Sequence, residues 1–477
     1  MEYTVLLVSF ISYLALAVVW ILLEKKRPTS TLAWILVLVF IPFFGMLLYL
    51  LIGRHRAKKE VRLRAASFAQ LAPTLSEAAA FDKGLAPFLP GPGDGRYLPV
   101  VELSRNIGYA PITHGNKVEI FLDGVAKHQA LFNAVRNAQR FVHLEYYIFQ
   151  PDDTGMQLMD ILKDKARHGI EVRLLVDGVG SYALCQDYLE ELEEAGVETG
   201  IFHPLPVAIW KNRINYRNHR KIAVIDGRTG FLGGMNIGDE YMAGKSGELP
   251  WRDTHLSVKG PAVWGLQRIF SEDWHLATGK VLAHADYFPR PMEMGSDLVQ
   301  IMASGPDMNW SAIHYLYFTA ISTAEKNVRI TTPYFVPDEP LLLALRTSSL
   351  RGIDVEILVP GKTDLPLVTF AGRSYYEDLL DVGVKIHEYQ PRVLHAKVLT
   401  VDQRFAGLGS ANMDIRSFQL NYEVGAFVHS KERAGQLDKQ FEKDLLESKE
   451  VNLDAWNNRG FSRKLIESSA RLLSPLL

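Results

Sequence analysis

An α/β fold built from two similar halves is predicted for this chain by three observations. The stretch "YRNHRKIAVIDGRTGFLGGMNIGDEY", Tyr216 to Tyr241, and the stretch "LHAKVLTVDQRFAGLGSANMDIRSF", Leu394 to Phe418, share one pattern. His219, Lys221, Asp226, Gly233 and Asn236 in the first stand at the same offsets as His395, Lys397, Asp402, Gly409 and Asn412 in the second. Around these motifs the likeness continues in the same order: "VHLEYYIFQPD" from Val142 aligns without gaps on "VRITTPYFVPD" from Val328, and "RHGIEVRLLVDG" from Arg167 on "LRGIDVEILVPG" from Leu350. Finally, strand-like runs such as "EVRLLVD" and "VEILVP" alternate with helical stretches such as "HQALFNAVRNAQ" and "MQLMDILKDKA", which favours a sheet with helices on its faces. Strands that are apolar almost throughout are expected where both faces are covered. A period of roughly 175 to 185 residues is domain-sized rather than solenoid-sized, so the halves are expected to be related by an approximate two-fold axis.

The N-terminal part is different in kind. Val5 to Leu23 and Leu32 to Ile52 carry no charge, and at 1.5 Å per residue each spans about 30 Å, the hydrocarbon thickness of a bilayer. They predict two transmembrane helices joined by "EKKRPTST". A cleaved signal peptide is disfavoured because "MEYT" lacks a basic side chain and no small-x-small site follows. Pro42 and Gly45 leave a second reading open, a re-entrant hairpin within one leaflet. Lys25, Lys26 and Arg27 compete with Arg54, Arg56, Lys58, Lys59, Arg62 and Arg64, and the larger group places the body in the cytoplasm, with the basic cluster against anionic headgroups. The stretch from Ala65 to His114 is rich in Ala, Pro and Gly, with "GLAPFLPGPGDG" as its clearest break. The expected domains are therefore 1–55, two transmembrane helices; 56–116, a basic juxtamembrane segment and linker; 117–297, the first half; and 298–477, the second half.

Composition narrows the function. A chain of 477 residues, 48% apolar, suffices for a large two-lobed body. The formal charge of −2 gives no drive toward nucleic acid. Cys185, the single cysteine, excludes an intramolecular disulfide and a cysteine metal cluster. His114, His128, His143, His168 and His203 are scattered and read as structural.

On a strand, residues two apart share a face, so His219 points with Lys221 and His395 with Lys397. Asp226 and Asp402 lie an odd number of positions further and read as scaffold acceptors or ion-pair partners. The Gly-rich turns deliver Asn236 and Asn412 as amide donors. If the halves meet about their axis, two His, two Lys and two Asn converge on one anion, which suits a phosphate. One imidazole then attacks phosphorus and forms a phosphohistidine while the other donates a proton to the leaving alkoxide. Imidazoles used in this way need an acid on the other ring nitrogen. Asp253 in "WRDTHLSVKG" and Glu423 in "NYEVGAFVHS" stand at matched places for that, with turn capping as the alternative. Neither half offers the close ligand cluster of a zinc site, so no metal is expected.

Both motifs resemble the HKD signature of the phospholipase D superfamily, and the resemblance covers nearly the whole chain. With two N-terminal membrane helices in front, the pattern is similar to that of bacterial cardiolipin synthases. That resemblance implies transfer of a phosphatidyl group from one phosphatidylglycerol to another, giving cardiolipin and glycerol without metal, nucleotide or other cofactor, at the bacterial inner membrane. It also implies that His219, Lys221, Asp226, His395, Lys397 and Asp402 are active-site positions, with His219 as nucleophile and His395 as acid and base. A phospholipase D-type hydrolase, a transphosphatidylase using other phospholipids and a membrane-bound nuclease stay open as alternatives, the last lacking a basic stripe with interleaved aromatics. The basic group Lys211, Arg213, Arg217 and Arg220 has no equal in the second half and is read either as a lipid-phosphate cradle or as a solvated edge. Oligomeric state is not encoded in these motifs.

Overall fold

The computed structural model describes residues 2–24, 28–53, 61–67, 69, 71, 98–107, 110–204, 208, 213, 215–244, 247–308, 310–363 and 365–474. Lys25, Lys26, Arg27, Arg54, Arg56, Lys58, Lys59, Lys211 and the "GLAPFLPGPGDG" break lie outside them. The chain forms two compact units, residues 1–57 with 205–215, and residues 58–204 with 216–477.

In the smaller unit α1 (Glu2–Leu23) is followed by α2 (Pro28–Phe40) and α3 (Pro42–Leu48). The stretch Tyr3–Leu23 is the one described helix long and apolar enough to cross a membrane. The expected single helix over Leu32–Ile52 is instead divided at Ile41, and a π turn, Tyr49–Gly53, ends it. Pro42 is the cause, because it has no N–H to give the preceding turn. The ladder resumes at once, Ile41 N donating to Val37 O at 2.9 Å and Gly45 N to Ile41 O at 2.6 Å. Tyr13 Oη donates to the Pro42 carbonyl at 3.1 Å, and Trp34 meets Tyr49 edge-on at 5.2 Å.

The larger unit is organised by one mixed sheet. The first half supplies β1 (Thr113–Phe121), β2 (Phe141–Tyr146), β3 (Glu171–Asp177), β4 (Glu198–Phe202), β5 (Lys221–Ile225), β6 (Thr229–Gly233) and β7 (His255–Lys259). The second supplies β8 (Asp297–Ser304), β9 (Asn327–Thr331), β10 (Phe335–Val336), β11 (Asp354–Pro360), β12 (Lys385–Tyr389), β13 (Val398–Val401), β14 (Phe405–Gly409), β15 (Met413–Asp414), β16 (Glu423–His429) and β17 (Ser448–Glu450). The sheet order is β17-β12-β11-β9-β13-β14-β16-β8-β1-β7-β6-β5-β2-β3-β4, and β10 and β15 pair with each other in a separate two-stranded sheet. Outward from the antiparallel β1–β8 pair at its centre, the two directions present the same succession of strand types, with β17 added at one edge. That is the topology of a duplicated unit with a two-fold axis through the β1–β8 seam.

Alternation decides which helices cover which face. Ala223 and Ile225 of β5 join the core made with the helices Gly124–Arg136 and Asp153–Arg167, whereas Ile222 and Val224 join the core made with Val263–Thr278. Every residue of β5 is buried, as expected where both faces of a strand are covered.

Candidate active site

Each motif begins just before a strand and ends at a hairpin. In β5–β6 the turn carries Asp226 at φ +55° and Gly227 at +63°, and in β13–β14 Asp402 at +53° and Gln403 at +54°. Positive φ at both central positions is what a tight β-hairpin requires, and Asp tolerates it better than most residues. The carboxylate of Asp226 accepts the backbone N–H groups of Gln139, Arg140 and Phe141 at 2.9, 2.8 and 3.0 Å. That of Asp402 accepts those of Glu325, Lys326 and Asn327, with Lys326 at 2.7 Å. These aspartates hold the start of the neighbouring strand. Five residues of extended chain put Asp226 and Asp402 each about 16 Å from its lysine, as strand parity leads one to expect.

The histidines are placed by a backbone exchange between the halves. Tyr422 N donates to Arg217 O at 2.9 Å and His219 N to Tyr422 O at 3.0 Å; Arg252 N donates to Val393 O at 2.9 Å and His395 N to Arg252 O at 2.7 Å. Parallel bridges join Asn218 to Tyr422 and Arg252 to Leu394. This register sets Glu423 beside His219 and Asp253 beside His395, so the acids cross over. His219 Nδ1 lies 3.1 Å from both carboxylate oxygens of Glu423, and His395 Nδ1 lies 2.7 Å from Asp253 Oδ2. A carboxylate only accepts, so Nδ1 carries the proton in each ring and Nε2 keeps the lone pair. A Cβ at Gly234 would collide with the Asp253 carboxylate; at the matching position the second half has Ser410, whose hydroxyl donates to Glu423.

The lysines stand over the imidazoles. Lys221 Nζ donates to His219 O at 2.6 Å and lies 5.2 Å above the Tyr147 ring, which itself meets His219 edge-on at 4.9 Å. Lys397 Nζ lies 2.8 and 3.0 Å from the two ring nitrogens of His395. Burial, with Lys221 and Lys397 adding to it, pulls the His219 imidazolium down to about 4 although Glu423 opposes. Burial and then Lys397 lower His395, with Asp253 opposing. Burial also drives Lys221 well below the ordinary lysine range. Burial works to raise Glu423, but His219, Lys221 and Ser410 outweigh it and hold the carboxyl below its usual range. Both His-acid pairs sense the lysine of the other half. The two pairs therefore face one site, where an arriving anion would favour the charged forms of the lysines and imidazoles.

Asn236 gives one amide hydrogen to Tyr241 Oη at 3.1 Å, and that hydroxyl lies 3.4 Å from His395 Nδ1. The side chain of Asn412 helps hold Asp414, whose carboxyl burial pushes up to about 6. Two members of the asymmetric basic group are held inside the body. Arg217 is buried against Asp177 at 3.4 Å, and Arg220, fully buried, donates to Glu423 O at 3.0 Å and Ser304 O at 3.1 Å and pairs with Asp273. Neither is available to a headgroup.

Two features are not legible in the motifs. Glu145 shares the Asp273 network, and burial raises its carboxyl far above the usual range; Asn218, next to His219, donates to it at 2.7 Å. Arg64, a juxtamembrane charge by its place in the sequence, is buried among Glu272, Asp273 and Asp307 at 2.5, 2.9 and 2.5 Å. The Phe-x-x-Asp pattern shared by the two halves marks Asp273; no local signal marks Arg64.

The family model for "Cardiolipin synthase, PLD-like domain" matches residues 131–274 and 317–445, so each matched segment carries one of the two site histidines. The chain belongs to the cardiolipin synthase family. A second model, "Phospholipase_D-nuclease N-terminal", matches residues 12–54. The family member of Alkalihalophilus pseudofirmus named cardiolipin synthase is 42% identical over 96% of this chain and 91% of its own length. Cardiolipin synthase of Geobacillus kaustophilus is 40% identical over 100% and 94%, and cardiolipin synthase 2 of Bacillus anthracis is 41% identical over 96% and 88%. Among solved structures, a phosphatidylserine synthase of Haemophilus influenzae covers 80% of this chain and 100% of itself with a TM-score of 0.62 at 14% identity, a likeness of fold. Family membership implies phospholipid substrates, and with the apolar helix at Tyr3–Leu23 it associates the chain with membranes.

Proposed function

We propose that this protein is a cardiolipin synthase that moves a phosphatidyl group from one phosphatidylglycerol to the hydroxyl of a second, releasing glycerol. The observation that carries the reading is the crossed pair of His-carboxylate contacts, in a chain 42% and 40% identical to two cardiolipin synthases over nearly its full length. His219 Nε2, neutral at physiological pH, attacks phosphorus; the P–O bond to glycerol breaks as His395 gives that oxygen a proton. His395 then takes a proton from the glycerol hydroxyl of the second lipid, whose oxygen displaces His219 from phosphorus. Lys221 and Lys397 offset the charge on the phosphoryl oxygens in both steps. Charge on the phosphodiester also raises His395 toward the protonated state that the first step needs. No step calls on a metal or a nucleotide.

The lipid substrate places the body at a bilayer. We read α1 as one crossing and α2 with α3 as a second, kinked at Pro42, making the protein multi-pass in the bacterial inner membrane. Arg64 leaves the count of membrane-facing charges, yet five basic residues after the second segment still outnumber three before it, which favours a cytoplasmic body in contact with anionic lipid. The direct test uses the full chain in detergent with phosphatidylglycerol, EDTA and no CTP. Cardiolipin with equimolar glycerol is expected, and both His219→Ala and His395→Ala should abolish it. Phosphatidic acid as sole product would make the protein a hydrolase, and dependence on added metal would overturn the mechanism.

A further inference from the structure

The helix Phe461–Arg471 is built inside out. Its inward face holds Glu467, 1% exposed, between Arg459 Nε at 3.2 Å and Arg463 Nε at 3.4 Å, together with Ala470. Its docking is completed by cations on rings: Arg459 lies 3.8 Å over Trp456 and Arg471 lies 4.3 Å over Tyr375. Outward it shows Phe461, Leu465 and Ile466 at 79%, 54% and 51% exposure, continued by Leu472. At 100° per residue these occupy one arc of about 140°, the reverse of a surface helix that buries its apolar side. The neighbouring helix Pro366–Arg373, which Arg471 reaches through Ser374 O at 3.5 Å, adds exposed Leu365 and Leu367. Single exposed leucines are ordinary, but large apolar side chains gathered on one arc of a helix whose buried face is ionic mark an interaction surface.

We propose that this face rests on an anionic bilayer, the two helices lying in the headgroup layer with their apolar side chains inserted. Charge selects the occupant. Arg463, half-exposed, and Lys464 flank the apolar arc, and basic residues bordering an apolar stripe are the composition of an interfacial helix. The same surface leads to the site. Val368, Thr369 and Gly372 share a small cleft with Tyr334 and Phe335, and the Tyr334 ring stands 6.5 Å from that of His395. A bilayer seated here brings headgroups to the His395 side. Delivery of substrate to His395 rests on the phosphatidyl-transfer reading; the seating itself does not.

The full chain carrying Phe461→Trp, reconstituted in phosphatidylglycerol–phosphatidylcholine vesicles, reads the contact directly. Brominated acyl chains should quench the added emission relative to the parent with its eight tryptophans; emission open to aqueous iodide and untouched by bromine overturns the proposal. Because quenching needs no turnover, it is independent of the reaction proposed for the site. Leu465→Asp with Ile466→Asp should lower cardiolipin formation from vesicles about tenfold and leave turnover of monomeric short-chain phosphatidylglycerol unchanged. An unchanged vesicle rate, an equal loss on both substrates, or loss of a dimer without bromine quenching would each sink it, the last giving the face to a second copy of the chain.

Discussion

Asp253 and Glu423 each hold the histidine of the other half, so a change at one acid acts on a base more than a hundred residues away in sequence. The Asp253 carboxylate opposes the burial that lowers His395. Asp253→Asn removes that support and lowers the His395 pKa further, so the alkaline limb of the kcat profile should move to lower pH. The loss of a fixed tautomer adds a fall in kcat of roughly 10²–10⁴-fold, with KM for phosphatidylglycerol little changed. A uniform fall at every pH would show Asp253 to be a structural cap instead. Much of this site is legible in the sequence. The His and Lys stand out because two matched offsets make accident improbable, and the acids because they open matched strands. The crossing is not legible, since it depends on backbone bridges formed only when the halves meet.

At the scale of elements, the HKD hairpins show why a shared motif need not be a shared site. Strand parity separates Asp226 and Asp402 from the lysines; what it cannot supply is their bond set, three backbone amides of a strand distant in sequence. The segment containing Arg64 makes the opposite point, because a basic run is read by composition as a membrane-facing charge while this one side chain is drawn into the body. Asp307, Asp273 and Glu272 keep its guanidinium charged against the burial that opposes it. Asp273 continues to Arg220, and Arg220 to the Glu423 carbonyl beside His219. Arg64→Gln leaves three buried carboxylates short of a countercharge and should cost roughly 3–5 kcal/mol of stability, read as a lower urea midpoint, with kcat reduced in the protein that stays folded. Arg64→Lys should recover part of both. If Arg64 acted on headgroups, Arg64→Gln would weaken vesicle binding and leave the midpoint where it was.

The whole molecule hides many more ionisable groups than its chemistry uses, and this gives it a pH signature. Duplication is visible in the sequence because each half repeats its strands in order, and Pro42 foreshadows the division of the second apolar run, but the depth at which polar groups are buried has no such signal. Burial, then Arg173, pulls His143 down to about 3, burial alone pulls His429 to about 4, and burial with Lys221 and Lys397 pulls His219 to about 4 against Glu423. In the unfolded chain each titrates near 6.5. A depressed histidine contributes stability that is intact above about 6.5 and is lost as pH falls toward 4, since only the unfolded state takes up protons in that window. Glu423, held below its ordinary range, works in the same direction at lower pH. The detergent-solubilised protein should therefore lose stability to urea between pH 7.5 and 5. His429 sits apart from the reaction, with Nε2 3.2 Å from Gln300 Oε1 and its ring against Phe405, so its share can be isolated. Its pKa of about 4 is worth about 2 kcal/mol between those two pH values. In His429→Gln the gap in unfolding free energy between pH 7.5 and 5 should narrow by about that amount, and a gap as wide as in the parent would show that His429 is protonated in the fold.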